Sequence, residues 1–228
     1  MREIVLDTET TGLDPLQGHR VVEIGAVELF NHIPTGKTYH TFVNPQRDVP
    51  REAEAVHGLS SEFLKDKPLF SQVAGEFVEF IGDAVLIIHN ASFDVGFLNA
   101  ELGFIKRAPI LYERIIDTLA LAKKRHPMGP NSLDALCKRY GIDIAKRTKH
   151  GALLDSELLA GVYLELIGGR QITLTLPKAD NVRQLQMNSA PPQTKRTRTL
   201  PERITREERE RHEALIKSLG AATLWKSS

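Results

Sequence analysis

One cysteine among 228 residues, Cys137, excludes a disulfide within the chain, and its place in the apolar run Leu133-Asp134-Ala135-Leu136-Cys137 makes it core packing, with no motif to support a catalytic thiol. Long apolar runs are equally scarce. Nothing approaches the roughly 20 residues that span a bilayer. Met1-Arg2-Glu3 leads directly into a strand-like stretch with no signal-peptide pattern, so the expected setting is the cytoplasm, away from membranes. No internal repeat is present, which removes solenoids and propellers. Charge of one sign is also lacking overall, with 30 Lys/Arg against 29 Asp/Glu. That balance conceals a division: residues 177–228 carry 11 Lys/Arg and 6 Asp/Glu, whereas residues 1–176 carry 19 and 23. An acidic body that handles nucleic acid needs metal ions or a local basic rim to offset its own carboxylates.

What is present centres on Ile4-Val5-Leu6-Asp7-Thr8-Glu9-Thr10-Thr11-Gly12. An apolar, β-branched run reads as a central strand, and residues two apart on a strand share a face, so Asp7 and Glu9 aim at one spot. Such a pair repels unless a cation lies between its members or one takes a proton. Hard oxygen donors suit Mg²⁺ or Mn²⁺ rather than zinc. On the pair alone, a polar strand end facing water is the competing reading. Thr10 to Pro15 is turn chemistry, Arg20–Leu29 and Lys37–Val43 read as two more strands, and short connections favour an antiparallel meander. The period then changes to 3.6 over Ser71–Ile81, with Val73, Phe77, Val78 and Ile81 on one face, before the wholly apolar Ala84–Ile88. Asn90 or Ser92 is placed to cap a helix running to about Leu102. A short strand at Ile115–Asp117 and helices near 118–124, 132–140 and 151–167 complete a mixed α/β sheet of five strands with helices on both sides.

Three more positions stand where strands end or helices begin. Asp94 follows the apolar strand in a first helical turn, where a partner for the helix dipole is the plain alternative. Asp155 lies on an otherwise apolar helix face, an expensive place for a carboxylate without a partner or a metal. His150 is five residues earlier, too far round a continuous helix to sit beside Asp155, so it belongs to the preceding loop or first turn. There it can serve as a general base, a solitary surface histidine being the alternative.

Asp7-Thr8-Glu9-Thr10-Thr11-Gly12, His89-Asn90-Ala91-Ser92-Phe93-Asp94 and His150-Gly151-Ala152-Leu153-Leu154-Asp155 resemble the three motifs of the DEDDh 3′→5′ exonucleases. Val56-His57-Gly58, Asn131–Cys137 and the terminal Leu224-Trp225 extend the resemblance, over nearly the whole chain, to members of that family that proofread for bacterial replicative DNA polymerases. The resemblance implies a ribonuclease-H-like fold and two Mg²⁺ or Mn²⁺ ions on Asp7, Glu9, Asp94 and Asp155, with His150 as general base and a deoxynucleoside monophosphate as product. It further implies that Thr10, Thr11, Gly12, His57 and Asn90 surround the 3′-terminal nucleotide of a single-stranded DNA end. Of two basic runs, Lys146–Lys149, beside His150, is the expected phosphate contact.

The partners follow from the end of the chain. Gln171-Ile172-Thr173-Leu174-Thr175-Leu176 resembles peptides that dock on a sliding clamp, through Gln171, Leu174 and Leu176; an ordinary strand-like tail is the alternative. Residues 177–201, rich in Pro, Asn, Gln and Thr, read as a flexible linker. Residues 202–228 hold a capping box at Thr205–Glu208, then Leu215, Ile216 and Leu219, then Trp225, and resemble the segment that attaches to the polymerase's catalytic subunit, leaving room for a small third core subunit. The rival expectations are a free-standing exoribonuclease of the same family, or a non-catalytic adaptor between polymerase and clamp.

Overall fold

The computed structural model describes residues 1–145, 149–168 and 204–219. Its centre is β1 (Arg2–Thr10), whose Ile4, Val5 and Leu6 are fully buried. On one side β1 pairs antiparallel with β2 (Val21–Phe30), which pairs antiparallel with β3 (Ile33–Phe42); on the other it runs parallel to β4 (Val85–Ile88), which is parallel to β5 (Ile115–Asp117). The five-stranded order β3-β2-β1-β4-β5 contains the expected meander and crossover. β3 begins four residues earlier than the sequence suggests. Asn31 and His32, at φ 50° and 67°, close the hairpin in two residues with the left-handed backbone that a tight connection requires, so pairing resumes at once.

Strand alternation sorts the helices. Ile4 and Leu6 face α3 (Phe70–Ile81) and α4 (Ala91–Phe104), meeting Phe77, Val95, Phe97 and Leu98. Val5 faces the other way, packing with Leu159 and Tyr163 of α7 (Ala152–Leu166). Burying Phe77 or Phe97 contributes about 1.5–3 kcal/mol each. α5 (Thr118–Arg125) and α6 (Leu133–Tyr140) flank α7, and Cys137 is buried there with Leu136, Leu158 and Val162, as core packing.

Two short helices carry no periodic signal: α1 (Arg51–His57) and α2 (Ser61–Lys65). Each buries a single residue, His57 and Leu64 respectively, so neither displays an apolar stripe. The chain divides into the units Met1–Leu174 and Thr175–Ser228, and the second contains α8 (Arg206–Leu219). The capping box ahead of α8 is formed: the Thr205 hydroxyl oxygen accepts the Glu208 N–H at 3.3 Å, and Glu208 accepts the Thr205 N–H at 2.8 Å. Among the described residues, no helix is long and apolar enough to cross a membrane.

Candidate active site

The site is built where β1 ends. Asp7 and Glu9 lie on the α7 face, opposite Gly25 and Glu23 of β2, and the ladder breaks immediately afterwards at a register shift between Glu9 and Thr10. The first turn of α7 brings up Asp155, which is 97% buried, as its 3% exposure states, and whose N–H donates to the Gly151 carbonyl at 2.9 Å. His150 precedes the helix, in the loop as its spacing requires, with Nδ1 3.3 Å from Asp155 Oδ2. Glu9, His150 and Asp155 each offer a ligand atom, all within 4.8 Å of one another.

Asp94 arrives from the other face. It stands in the first turn of α4, and its Oδ1 accepts both the Thr8 N–H at 3.0 Å and the Thr8 hydroxyl at 2.7 Å. Thr8 points away from Asp7 and Glu9 by strand alternation, and so becomes the residue that carries the fourth carboxylate to the strand end. Burial pushes the Asp94 carboxyl up to about 7; the Thr8 bonds pull it down, and nearby Asp117 raises it further. Asn90 precedes α4 in a left-handed conformation (φ 63°), which Asn tolerates. Its side chain makes no capping bond, contrary to the expectation that it caps the helix; its carbonyl accepts the Phe93 N–H at 3.0 Å, and its own N–H donates to Asp117 Oδ1 at 3.1 Å.

Asp7, Glu9, Asp94, His150, Asp155 and Asn90 thus line one cleft of about 510 Å³, together with His89, Phe93, Leu119, Ser132 and Leu133. A second cavity of about 580 Å³ shares Thr8, Glu9 and Phe93 with it and is bounded by Thr10, Thr11, Gly12, Val56 and His57. His57 is almost entirely buried; its Nδ1 accepts the Leu59 N–H at 3.0 Å, and its Nε2 makes no regular hydrogen bond. Burial lowers its pKa, against the opposing pull of the Thr10 backbone and Glu54.

Two clamps hold these walls. Arg20 donates twice to Glu101 of α4, at 2.7 and 2.6 Å, while its backbone exchanges bonds with Thr11: Arg20 N–H to the Thr11 hydroxyl oxygen at 3.0 Å and Thr11 N–H to the Arg20 carbonyl at 2.9 Å. The Thr10–Gly12 turn is therefore fastened to the helix that bears Asp94. On the far side the His150 N–H donates to the Val56 carbonyl of α1 at 3.2 Å, and Lys149 lies against Gly58.

Divalent cations fit this donor set. Four carboxylates line one cleft at the strand end, Glu9 and Asp155 among them within the 4.8 Å cluster, the oxygens are hard, and burial at Asp94 disfavours its charge until a cation offsets it. Thr8, Phe93 and His89, whose Nδ1 lies 2.9 Å from the Thr118 hydroxyl, went unassigned on sequence grounds. Thr8 carried a readable signal, since its alternation face opposes that of the two acids beside it. Lys146 to Thr148, Gln171, Leu174, Leu176, the linker and Trp225 lie outside the described residues. On α8, Leu215 is exposed and Ile216 partly buried.

A family model described as Exonuclease matches residues 4–163. The chain is 49% identical to DNA polymerase III subunit epsilon of Rickettsia felis, over 96% of this chain and 97% of that one. It is 43% identical to the Escherichia coli K12 protein of the same name, over 99% and 98%. Among solved structures it resembles the nuclease domain of 3′hExo, a DEDDh family member bound to rAMP, with TM-score 0.63 and 18% identity over 74% of this chain and 92% of that one.

Proposed function

The chain belongs to the exonuclease family and, within it, to the epsilon subunits of DNA polymerase III; on that premise we propose which side chains carry the hydrolysis and how the subunit is placed for it. It is a 3′→5′ DNA exonuclease of the proofreading type, with a ribonuclease-H-like fold, and its family uses divalent metal. In our reading Asp7, Glu9, Asp94 and Asp155 hold two ions, Mg²⁺ or Mn²⁺. When bound, such ions offset the charge that builds on the phosphoryl group and make water acidic enough to attack near neutral pH.

The side chains do the rest. Thr10, Thr11 and Gly12 form the floor under the 3′-terminal nucleotide, with His57 and Val56 as a wall and Asn90 at the edge of the acidic cleft. His150, at the mouth of α7, takes the proton of the attacking water on its imidazole. As the new P–O bond forms, the bond to the 3′-oxygen of the penultimate nucleotide breaks. That oxygen takes up a proton, and a deoxynucleoside 5′-monophosphate leaves. A single-stranded end is the substrate, because a mispaired terminus frays at less cost than a paired one. Lys146–Lys149 supply phosphate contacts.

Placement is the task of the remaining residues. Residues 202–228, through Leu215, Ile216, Leu219 and Trp225, attach to the polymerase's catalytic subunit across the 177–201 linker, and Gln171, Leu174 and Leu176 engage the sliding clamp, with a small third core subunit accommodated. Tethering of this kind raises the local concentration of the exonuclease at the primer end. The cytoplasm is the setting this assembly requires.

The observation that carries the catalytic reading is the convergence of Asp7, Glu9, Asp94, Asp155 and His150 on one cleft that opens beside a nucleotide-sized cavity. Digestion of a 3′-mispaired primer with Mg²⁺, with and without the catalytic subunit, tests it. The expected result is release of monophosphates that is faster in the complex and absent in Asp7→Ala. Faster digestion of RNA, or association with the polymerase unaffected by deletion of residues 177–228, would favour a free-standing exoribonuclease.

A further inference from the structure

α7 meets the sheet at one glycine. Gly25 of β2 stands opposite Asp7 of β1 in the antiparallel register. A methyl group added to it would lie 2.1 Å from the Leu153 nitrogen and 2.2 Å from the Ala152 carbonyl carbon, far inside contact distance. The backbone of the first helical turn therefore rests directly on the strand. Its neighbour in that turn, Ser156, is fully buried, and its hydroxyl donates to the Gly25 carbonyl at 2.9 Å across a separation of 131 residues. So one residue supplies both the bare surface on which the helix sits and the acceptor that holds it there.

The geometry points to Gly25 and Ser156 as a seat that sets the gap between the α7 ligands and the β1 carboxylates. Ser156 is thus a positioning residue for cation binding, acting through its neighbour Asp155. Three features support this role over general packing. Asp155 and His150, on either side of the seat, share their 4.8 Å cluster with Glu9 of β1, so its compactness depends on how closely α7 approaches the sheet. The anchoring carbonyl belongs to the residue paired with Asp7, so any movement of the helix is registered against the site rather than against a distant part of the sheet. Further along the same helix, Tyr163 makes a comparable buried bond, its hydroxyl donating to Glu3 Oε1 at 3.0 Å, but at the far end of β1 from the ligands. The proposal rests on the reading of Glu9 and Asp155 as cation ligands.

The test is Mn²⁺ titration of the full chain, followed by the paramagnetic resonance of the free ion, with circular dichroism to verify folding. Groups behind the ligands typically change metal affinity by about 10–100-fold when removed. Ser156→Ala is expected to weaken Mn²⁺ binding about tenfold, with hydrolysis recovering as Mn²⁺ is raised, and Gly25→Ala to weaken it further. Tyr163→Phe is the control: it is expected to lower the melting temperature and leave Mn²⁺ affinity unchanged. If wild type and Ser156→Ala bind Mn²⁺ alike while Asp155→Ala does not bind, the seat is overturned and the site stands. Equal weakening in Ser156→Ala and Tyr163→Phe also overturns it, because the effect is then generic loosening. If wild type binds no Mn²⁺, or Asp155→Ala binds as tightly as wild type, the metal-site reading fails and takes the seat with it.

Discussion

Replacing Asp94 by Asn is expected to abolish hydrolysis and yet make the metal-free protein more stable. The side chain is almost wholly buried, and its carboxyl is pushed from 3.8 up to about 7, burial being the largest cause. The acid's pKa is thus higher folded than unfolded. Between about pH 4 and 7 the native state holds more protons than the unfolded chain, and stability falls as pH rises through that window. Above pH 7 the full penalty applies. At about 1.4 kcal/mol per tenfold, the rise sets a ceiling of about 4 kcal/mol, and relaxation around a buried group brings the expected gain to roughly 2 kcal/mol. Asn keeps an oxygen for the Thr8 N–H and hydroxyl, and its amide replaces the second carboxylate oxygen at the cleft. The measurement is thermal unfolding in EDTA. At pH 8 the variant should melt about 4–8 °C higher than wild type, with the difference disappearing toward pH 4. Mg²⁺ should then stabilise wild type more than the variant. A variant that melts lower than wild type at pH 8 in EDTA would refute the reasoning, since burial would then not be what raises the Asp94 pKa.

Three further outcomes can be checked directly. His150→Gln should reduce kcat by about 10²–10⁴ with KM for DNA little changed; an unreduced kcat would remove His150 as the base. Asp7→Ala should release no monophosphate from a mispaired primer while still co-purifying with the polymerase catalytic subunit, whose proposed contact lies in residues 202–228. Glu101→Gln weakens the clamp on Arg20; because Arg20 is partly exposed, the loss should be about 2–3 kcal/mol in urea unfolding, with KM for DNA raised more than kcat is lowered. A KM unchanged in that variant would show that the Thr10–Gly12 turn holds its shape without the clamp.

The strands and long helices were legible because their periods were clean. Ile4 to Leu6 and Val85 to Ile88 are too apolar to be anything but central, and the Val73, Phe77, Ile81 face leaves α3 one way to lie. α1 and α2 escaped notice because helices of seven and five residues with one buried side chain each leave no stripe to find. That omission matters, since α1 supplies Val56 and His57 to the cavity wall. Within the site, Asp7 and Glu9 could be paired by alternation alone, and His150 assigned to the loop by its spacing from Asp155. The route by which Asp94 joins them could not be read, because it runs through Thr8 on the opposite face, a contact between residues 86 apart. Nor could the close approach at Gly25, which in sequence is one more small residue in an apolar strand.

The bond from the His150 N–H to the Val56 carbonyl ties the proposed pocket wall to the proposed proton acceptor. A DNA end that displaced α1 on entering would pull on the His150 backbone through this bond. On the proposed roles, recognition of the terminal residue and placement of the base would share one backbone contact.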